Sequence, residues 1–364
     1  MRDFCPIRHI DHLEFFVGNA RQAAVFYETC FGFHRTAYRG LETGSRDVAS
    51  YVLEQGDIRF VLTSSLGPDH PAAEFVSRHG DGVGVIALAV PDAAAAFHET
   101  TTRGAEAAMP PEESSDEKGV LRTAAIHLYG DTLIKFVERD DYVGTFAPGF
   151  HPTTLTAGGS GSVLKAVDHI VGNVELGSME KWVRFFAETM GFTQLVHFDD
   201  KTITTEYSAL MSKVMQDGTG RVKFPINEPA TGKRKSQIQE YLDYYRGPGV
   251  QHIACATDDI VSTVRRLRAN GVEFLRVPPT YYEDLDQRIG KIEEPLGELA
   301  ELGILADRDD EGYLLQIFTQ PVQDRPTLFF EVIERHGCRG FGEGNFKSLF
   351  EAIEREQARR GNLV

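Results

Sequence analysis

Three side chains in the second half of this chain are of types that bind first-row metals, and each interrupts an apolar run. They are His169 in Ala166-Val-Asp-His-Ile-Val-Gly-Asn-Val174, His252 in Gly249-Val-Gln-His-Ile-Ala254, and Glu331 in Leu328-Phe-Phe-Glu-Val-Ile333. Two imidazoles and one carboxylate leave coordination positions open, the donor set of mononuclear non-haem Fe(II) oxygen chemistry. Each residue also has a plainer reading. A histidine on an apolar strand is more commonly a hydrogen-bonded core residue. Glu331 would equally be satisfied on a solvent-facing strand surface, opposite Phe330 and Val332. A carboxylate is costly to bury without a partner, so the three together favour a metal centre over three separate accidents.

An internal repeat supplies the comparison that selects them. Ile10-Asp-His-Leu-Glu-Phe-Phe-Val-Gly-Asn19 echoes the stretch around His169, and in both copies a helical pattern follows and ends at Gly-Phe (Gly32-Phe33, Gly191-Phe192). His169 falls on His12. Setting Gly249–Ala254 over Gly84–Ala89 puts His252 on Ala87. Setting Thr327–Arg335 over Thr132–Arg139, with the shared Glu-Arg ends aligned, puts Glu331 on Lys135. The first half therefore carries His, Ala and Lys where the second carries His, His and Glu.

The elements that must position these residues read as four similar units. In the first half, Asn19 caps a helix ending at Gly32, strands follow at Ala49–Glu54 and Ile58–Leu62, and Gly84–Val90 opens a second unit. Its helix is capped by Asp92, Met109–Gly119 reads as a Pro- and acid-rich loop, and Thr123–Tyr129 pairs with Thr132–Arg139. The third unit starts at Val167, with a helix capped by Ser178 and strands at Thr193–Phe198, Thr204–Ser208 and Arg221–Ile226. The fourth starts at Val250, with a helix from Asp259 and strands at Val272–Val277, Tyr313–Phe318 and Leu328–Ile333. A Gly/Ser/Thr-rich stretch over 151–162 separates a first domain, 1–150, from a second, 163–364. The tail over 345–360 is amphipathic, with Phe346, Leu349, Phe350 and Ile353 on one face, Asn345 as its cap, and Glu351/Arg355 and Glu356/Arg360 as i,i+4 pairs. The glycines of Gly340-Phe-Gly-Glu-Gly344 would give such a helix a hinge, so it reads as a lid.

The 364 residues carry a net charge of −16, which argues against nucleic acid as a partner, since that binding needs Lys and Arg to neutralise phosphates. The four cysteines form no Cys-x-x-Cys pair, and no apolar run approaches a membrane span. These features lead us to expect a cytoplasmic globular protein without membrane contact. Lys233-Arg234-Lys235 would steer an anionic substrate or, alternatively, form a solvated loop.

The second half contains the runs Phe224-Pro-Ile-Asn-Glu-Pro-Ala230, Lys235-Ser-Gln-Ile-Gln-Glu-Tyr241, Gly249–Ala254, Leu305-Ala-Asp-Arg-Asp309, Leu314-Leu-Gln-Ile-Phe-Thr319, Phe329–His336 and Gly340–Phe346. Through them it resembles the 4-hydroxyphenylpyruvate dioxygenase family of the vicinal oxygen chelate superfamily, and the likeness extends through the linker into the first half. The resemblance implies an α+β fold of four βαβββ modules, the C-terminal pair forming an open barrel around one Fe(II) bound by His169, His252 and Glu331. It implies polar substrate contacts at Ser212, Asn227, Gln237, Gln251 and Gln316, the first three catalytic, and aromatic walls at Phe318, Phe341 and Phe346. Without it, Phe341 and Phe346 read as packing of the last helix, and Asn227 as a turn amide. It further implies 4-hydroxyphenylpyruvate and O2 as substrates, homogentisate and CO2 as products, and a homo-oligomer, dimer or tetramer. In the related 4-hydroxymandelate synthases an aliphatic residue is expected in place of Asn227 and a branched aliphatic in place of Phe346. This chain has neither change. A metal-free ligand-binding protein of the same fold is the remaining alternative, and the presence of all three ligand types speaks against it.

Overall fold

The computed structural model describes residues 4–153, 163–198, 209–230 and 235–362. In the first half the elements are β1 (His9–Phe16), α1 (Ala20–Phe26), β2 (His34–Arg39), β3 (Val48–Gln55), β4 (Ile58–Ser65), α2 (Pro71–His79), β5 (Gly82–Ala89), α3 (Ala93–Thr102), β6 (Ala107–Asp116), β7 (Gly119–His127), β8 (Leu133–Glu138) and β9 (His151–Pro152). The second half has β10 (Ala166–Asn173), α4 (Met179–Met190), β11 (Thr193–Phe198), β12 (Ala209–Gln216), β13 (Lys223–Ala230), α5 (Gln237–Tyr245), β14 (Gly249–Ala256), α6 (Ile260–Ala269), α7 (Leu285–Ile289), α8 (Leu296–Leu302), β15 (Leu305–Arg308), β16 (Tyr313–Phe318), β17 (Phe329–His336) and α9 (Phe346–Arg359). Each half folds into one curled sheet, ordered β6-β7-β8-β5-β1-β4-β3-β2-β9 and β11-β12-β13-β10-β14-β17-β16-β15. These are the four βαβββ modules expected. The first strand of each pairs parallel with its last, and the two modules of a half meet through antiparallel β1–β5 or β10–β14.

Alternation along β17 decides what each half is for. Phe330 turns to the first half, where its ring meets Tyr27, Phe31 and Phe60 at centroid distances of 5.8, 5.0 and 6.0 Å. Glu331 therefore faces the opposite side, into the second half's own barrel. The first half backs the strand that presents the carboxylate.

Several sequence expectations change. Met109–Gly119 is no loop: it contributes most of β6, an edge strand whose ladder skips the two prolines between Met109 and Glu112, where a missing N–H costs no pairing. Val272–Val277 is not a strand. Its single bridge is Phe274–Thr319, and β15 takes the expected position after an insertion that carries α7 and α8. Asn19 and Asp92 cap their helices as expected, accepting from the N–H groups of Gln22 and Ala95. Ser178 does not, because the buried Glu228 carboxylate accepts from the Met179 N–H instead. Nor does Asn345, whose side-chain oxygen accepts from the Tyr281 hydroxyl at 2.5 Å. In place of the i,i+4 pairs, α9 is tied down by Arg360 to Glu240 on α5 and by Arg355 to the Arg276 carbonyl, and Arg359 pairs with Glu356 at i,i+3 along the helix itself. Residues 151 and 152, read as the start of the linker, pair with β2. The rest of that linker from 154, the expected strand Thr204–Ser208, and Lys233 with Arg234 lie outside the described residues.

The register also corrects the internal comparison. Ala87 pairs with His12 on one side and Lys135 on the other, while Ala254 pairs with His169 and Glu331. Ala87 is thus equivalent to Ala254. His252, two residues earlier, corresponds to Val85, whereas the match of Glu331 to Lys135 stands. Sequence similarity slid the strands by two residues, a shift that keeps every side chain on its own face and so leaves the apolar pattern intact.

Candidate metal centre

His169, His252 and Glu331 come from three adjacent strands, β10, β14 and β17, and are all buried. The Nε2 atoms of His169 and His252 lie 3.2 and 3.4 Å from the same oxygen, Glu331 Oε2. Each imidazole is held from behind. The Nδ1–H of His169 donates to Asp168 Oδ1 at 2.7 Å, and that of His252 to the Gln251 side-chain oxygen at 2.9 Å. Both bonds fix the proton on Nδ1 and leave a lone pair on Nε2.

Three acceptor atoms therefore converge with no proton assigned between them, and Glu331 Oε1 is buried without a hydrogen-bond partner. Such an arrangement calls for a cation. A first-row divalent metal would fit it: two imidazole nitrogens and one carboxylate oxygen suit such an ion and would leave coordination positions open. Electrostatics point the same way. Burial opposes charge on all three groups, yet the carboxylates of Glu331 and Asp168 raise the affinity of His169 for a proton, and the imidazoles draw Glu331 below its ordinary range. His252 is lowered, burial outweighing Glu331.

Around the triad the barrel encloses a cavity of about 60 Å3, room for a few waters. Seven of the expected substrate contacts line it: Ser212, Asn227, Gln237, Gln251, Phe318, Phe341 and Phe346. Ser212 and Asn227 are register partners on β12 and β13, and Gln237 opens α5 beside them. The Asn227 amide donates to Asn173 Oδ1 at 3.4 Å. Gln316 stands apart. Its amide lies under the backbone of Gly342, where a Cβ would collide with it, and its nitrogen is buried without a partner. Phe341 meets the His169 ring edge-on at 5.1 Å.

Some of the lining went unread in the sequence. Phe329 stacks on His252 at 4.7 Å and 19°, but inside Leu-Phe-Phe-Glu nothing separates a wall residue from a core one. Leu349 and Ile353 line the cavity from α9, as their stripe allowed, while the Phe350 side chain lies outside what the structure describes. Asp168 and Arg335 support the site from behind, and their signal was present: Asp-His and Glu-Arg are the parts that the repeat shares. Gly340–Gly344 is less of a hinge than its composition suggests. Asp309 accepts from the backbone of Arg339 and Gly340, and Asp307 from that of Gly344.

A family model described as Glyoxalase/Bleomycin resistance protein/Dioxygenase superfamily matches residues 9–122 and 166–317. A 4-hydroxyphenylpyruvate dioxygenase of Dictyostelium discoideum is 48% identical over 363 residues, covering 97% of this chain and 99% of that protein. One of Yarrowia lipolytica is 47% identical over 369 residues, covering 98% and 94%. Among solved structures, a triple mutant of 4-hydroxymandelate synthase from Streptomyces coelicolor superposes with a TM-score of 0.86 at 33% identity, covering 97% of this chain and 99% of that one. Among the described residues no helix is long and apolar enough to cross a membrane. With the modules, the facing donors and relatives matched end to end, the chain belongs to the 4-hydroxyphenylpyruvate dioxygenase family within that superfamily.

Proposed function

We propose that this chain converts 4-hydroxyphenylpyruvate and O2 to homogentisate and CO2, with one Fe(II) held by His169, His252 and Glu331. The convergence of three lone-pair donors inside an aromatic-walled cavity carries this reading. Bound there, Fe(II) would supply chelation of the 2-oxo acid and redox chemistry with O2. The chain's own residues do the rest. Asp168 and Gln251 hold the imidazoles with Nε2 forward. Ser212, Asn227 and Gln237 form a cluster of neutral donors and acceptors that orients the ring and its hydroxyl, without a carboxylate to compete for the metal. Phe318, Phe341 and Phe346 exclude water. Helix α9 lines the cavity through Phe346, Leu349 and Ile353, and in this reading it moves as a lid for substrate entry, swinging from the anchored segment before it.

The same reading carries a metal-free first domain, 1–150, a linker, 151–162, and a catalytic domain, 163–364. It also carries the expectation of a cytoplasmic homo-oligomer, dimer or tetramer, which sedimentation of purified protein tests. The deciding experiment for function is chromatography of the products from 4-hydroxyphenylpyruvate under air. Homogentisate is expected, and 4-hydroxymandelate as main product would refute the assignment.

A further inference from the structure

The structure assigns Arg335 as a positioning residue that joins the orientation of His169 to the seating of the segment leading into α9. Its Nε and Nη2 grip both oxygens of Asp168, at 2.7 and 2.8 Å, while Asp168 holds the Nδ1–H of His169. Its remaining arm, Nη1, donates to the carbonyls of Gly340 and Cys338, at 2.6 and 3.2 Å. The guanidinium also lies 5.4 Å from the centre of the Phe341 ring, the ring that meets His169. One planar, five-donor group thus touches both the support of an imidazole and the strap that places an aromatic wall against it, a geometry that an ammonium cannot copy.

The first half repeats the device, with its third contact moved to the carbonyl of the aromatic residue itself. Arg139 grips Asp11 through Nε and Nη2, at 2.6 and 2.9 Å, Asp11 accepts from the Nδ1–H of His12 at 2.6 Å, and Nη1 donates to the Phe146 carbonyl. Phe146 meets the His12 ring at 5.1 Å and lies over Arg139 at 4.9 Å. Here Lys135 and Val85 stand where Glu331 and His252 do, so the clamp exists without a ligand set. Asp–His–Arg–Phe is accordingly a property of the scaffold. In the second half alone it has a metal ligand to aim, and its far end leads into the helix that covers the cavity. A change at the metal must then be felt at Gly340, and a change at Gly340 at His169.

This inference rests on the Fe(II) reading, and the experiment separates the two. Wild-type, Arg335→Lys and Arg139→Lys proteins are loaded with Fe(II), and its release to a chromogenic chelator is timed. Hydrogen exchange of the Arg339 and Gly340 amides is followed with and without iron. Failure of the wild type to take up Fe(II) would overturn the metal reading itself. Given uptake, Arg335→Lys should release iron about 10–100-fold faster, the usual loss when the group behind a ligating histidine is altered. Its two amides should no longer respond to iron, whereas the wild type's slow on loading. Arg139→Lys should lower the melting temperature yet release iron at the wild-type rate. Release from Arg335→Lys within twofold of wild type, or equal acceleration by Arg139→Lys, overturns the assignment. If Arg335→Lys does not fold, Asp168→Asn takes its place: faster release supports the relay and an unchanged rate refutes it.

Discussion

Removing one guanidinium at the far end of α9 should open the cavity without touching it. Arg360 reaches from the end of that helix to Glu240 on α5, with Nη2 2.7 Å from Oε2 and Nε 3.3 Å from Oε1. The carboxylate is 3% exposed and also accepts from the Asn362 amide at 2.8 Å. Hydrogen bonds to charged groups contribute about 1.5–3 kcal/mol, and since Arg360 keeps partial contact with water the lower end applies. A loss of about 1.5 kcal/mol raises the open population roughly tenfold. The seal itself survives Arg360→Met, because Leu349, Ala352 and Ile353 still pack the helix down, each large apolar side chain contributing about 1.5–3 kcal/mol. Hydrogen exchange across Leu349–Arg359 measures the opening directly, and should quicken about tenfold while amides of β14 and β17 stay unchanged. Oxygen consumption should rise relative to homogentisate formed, as water and O2 gain entry. Unchanged exchange would refute the latch. Exchange that quickens equally in the strands would mean that α9 is ordinary core, coupled to global unfolding.

His169→Ala, His252→Ala and Glu331→Ala should each abolish Fe(II) retention after dialysis and all turnover, whereas His12→Ala keeps one iron per chain by metal analysis. Asn227→Ile with Phe346→Ile should cut homogentisate formation and raise benzylic hydroxylation; an unchanged product ratio on chromatography would remove both from the pocket's control of outcome. The Asp11 carboxyl is held far below the usual range, burial being outweighed by hydrogen bonds from His12 and Arg139. Its stabilisation is therefore full above the unfolded value near ~3.9 and lost as the pH falls below it. The gap in melting temperature between wild type and Asp11→Asn should accordingly shrink from pH 6 to pH 3. Val85→His with Lys135→Glu should add a second iron site beside His12, measured as a stoichiometry rising towards two, while Ala87→His with Lys135→Glu should not.

That last contrast shows where sequence reading reaches its limit. The triad was legible because a carboxylate inside Phe-Phe-Glu-Val-Ile and two histidines on apolar runs are each costly unless used, and because the chain carries a second copy without them. The partner position of His252 was misread because Gly-Val occurs twice in Gly82-Val-Gly-Val85, and apolar patterning cannot tell registers that differ by two. Only the ladder, with Ala87 between His12 and Lys135, resolves it. Caps failed for a related reason: Ser178 and Asn345 have the right chemistry locally, but Glu228 and Tyr281, 50 and 64 residues away in sequence from Ser178 and Asn345, reach the same groups first. Helix α5 was not read at all, since Gln237–Tyr245 is short and mixes polar residues through its buried face.

The two halves share one scaffold, and the second adds a converging set of metal-binding side chains to it. A ligating histidine needs its proton fixed on Nδ1, its ring braced and its far face sealed. Asp11, Arg139 and Phe146 do all of this for His12, which has no facing carboxylate, since Lys135 stands in that place. The positions that differ are then few: Glu331 for Lys135 and His252 for Val85 supply the candidate donor set, and α9 lines the cavity beside it. Folding stability and ligand aim are supplied by the same bonds, so the first half keeps the clamp for packing alone. The first half has a structural role as well, because its aromatic cluster of Tyr27, Phe31 and Phe60 packs on Phe330, which leaves Glu331 on the opposite face of β17, towards His169 and His252. Phe60→Ala should therefore weaken iron retention across the domain boundary, with His169 and His252 untouched.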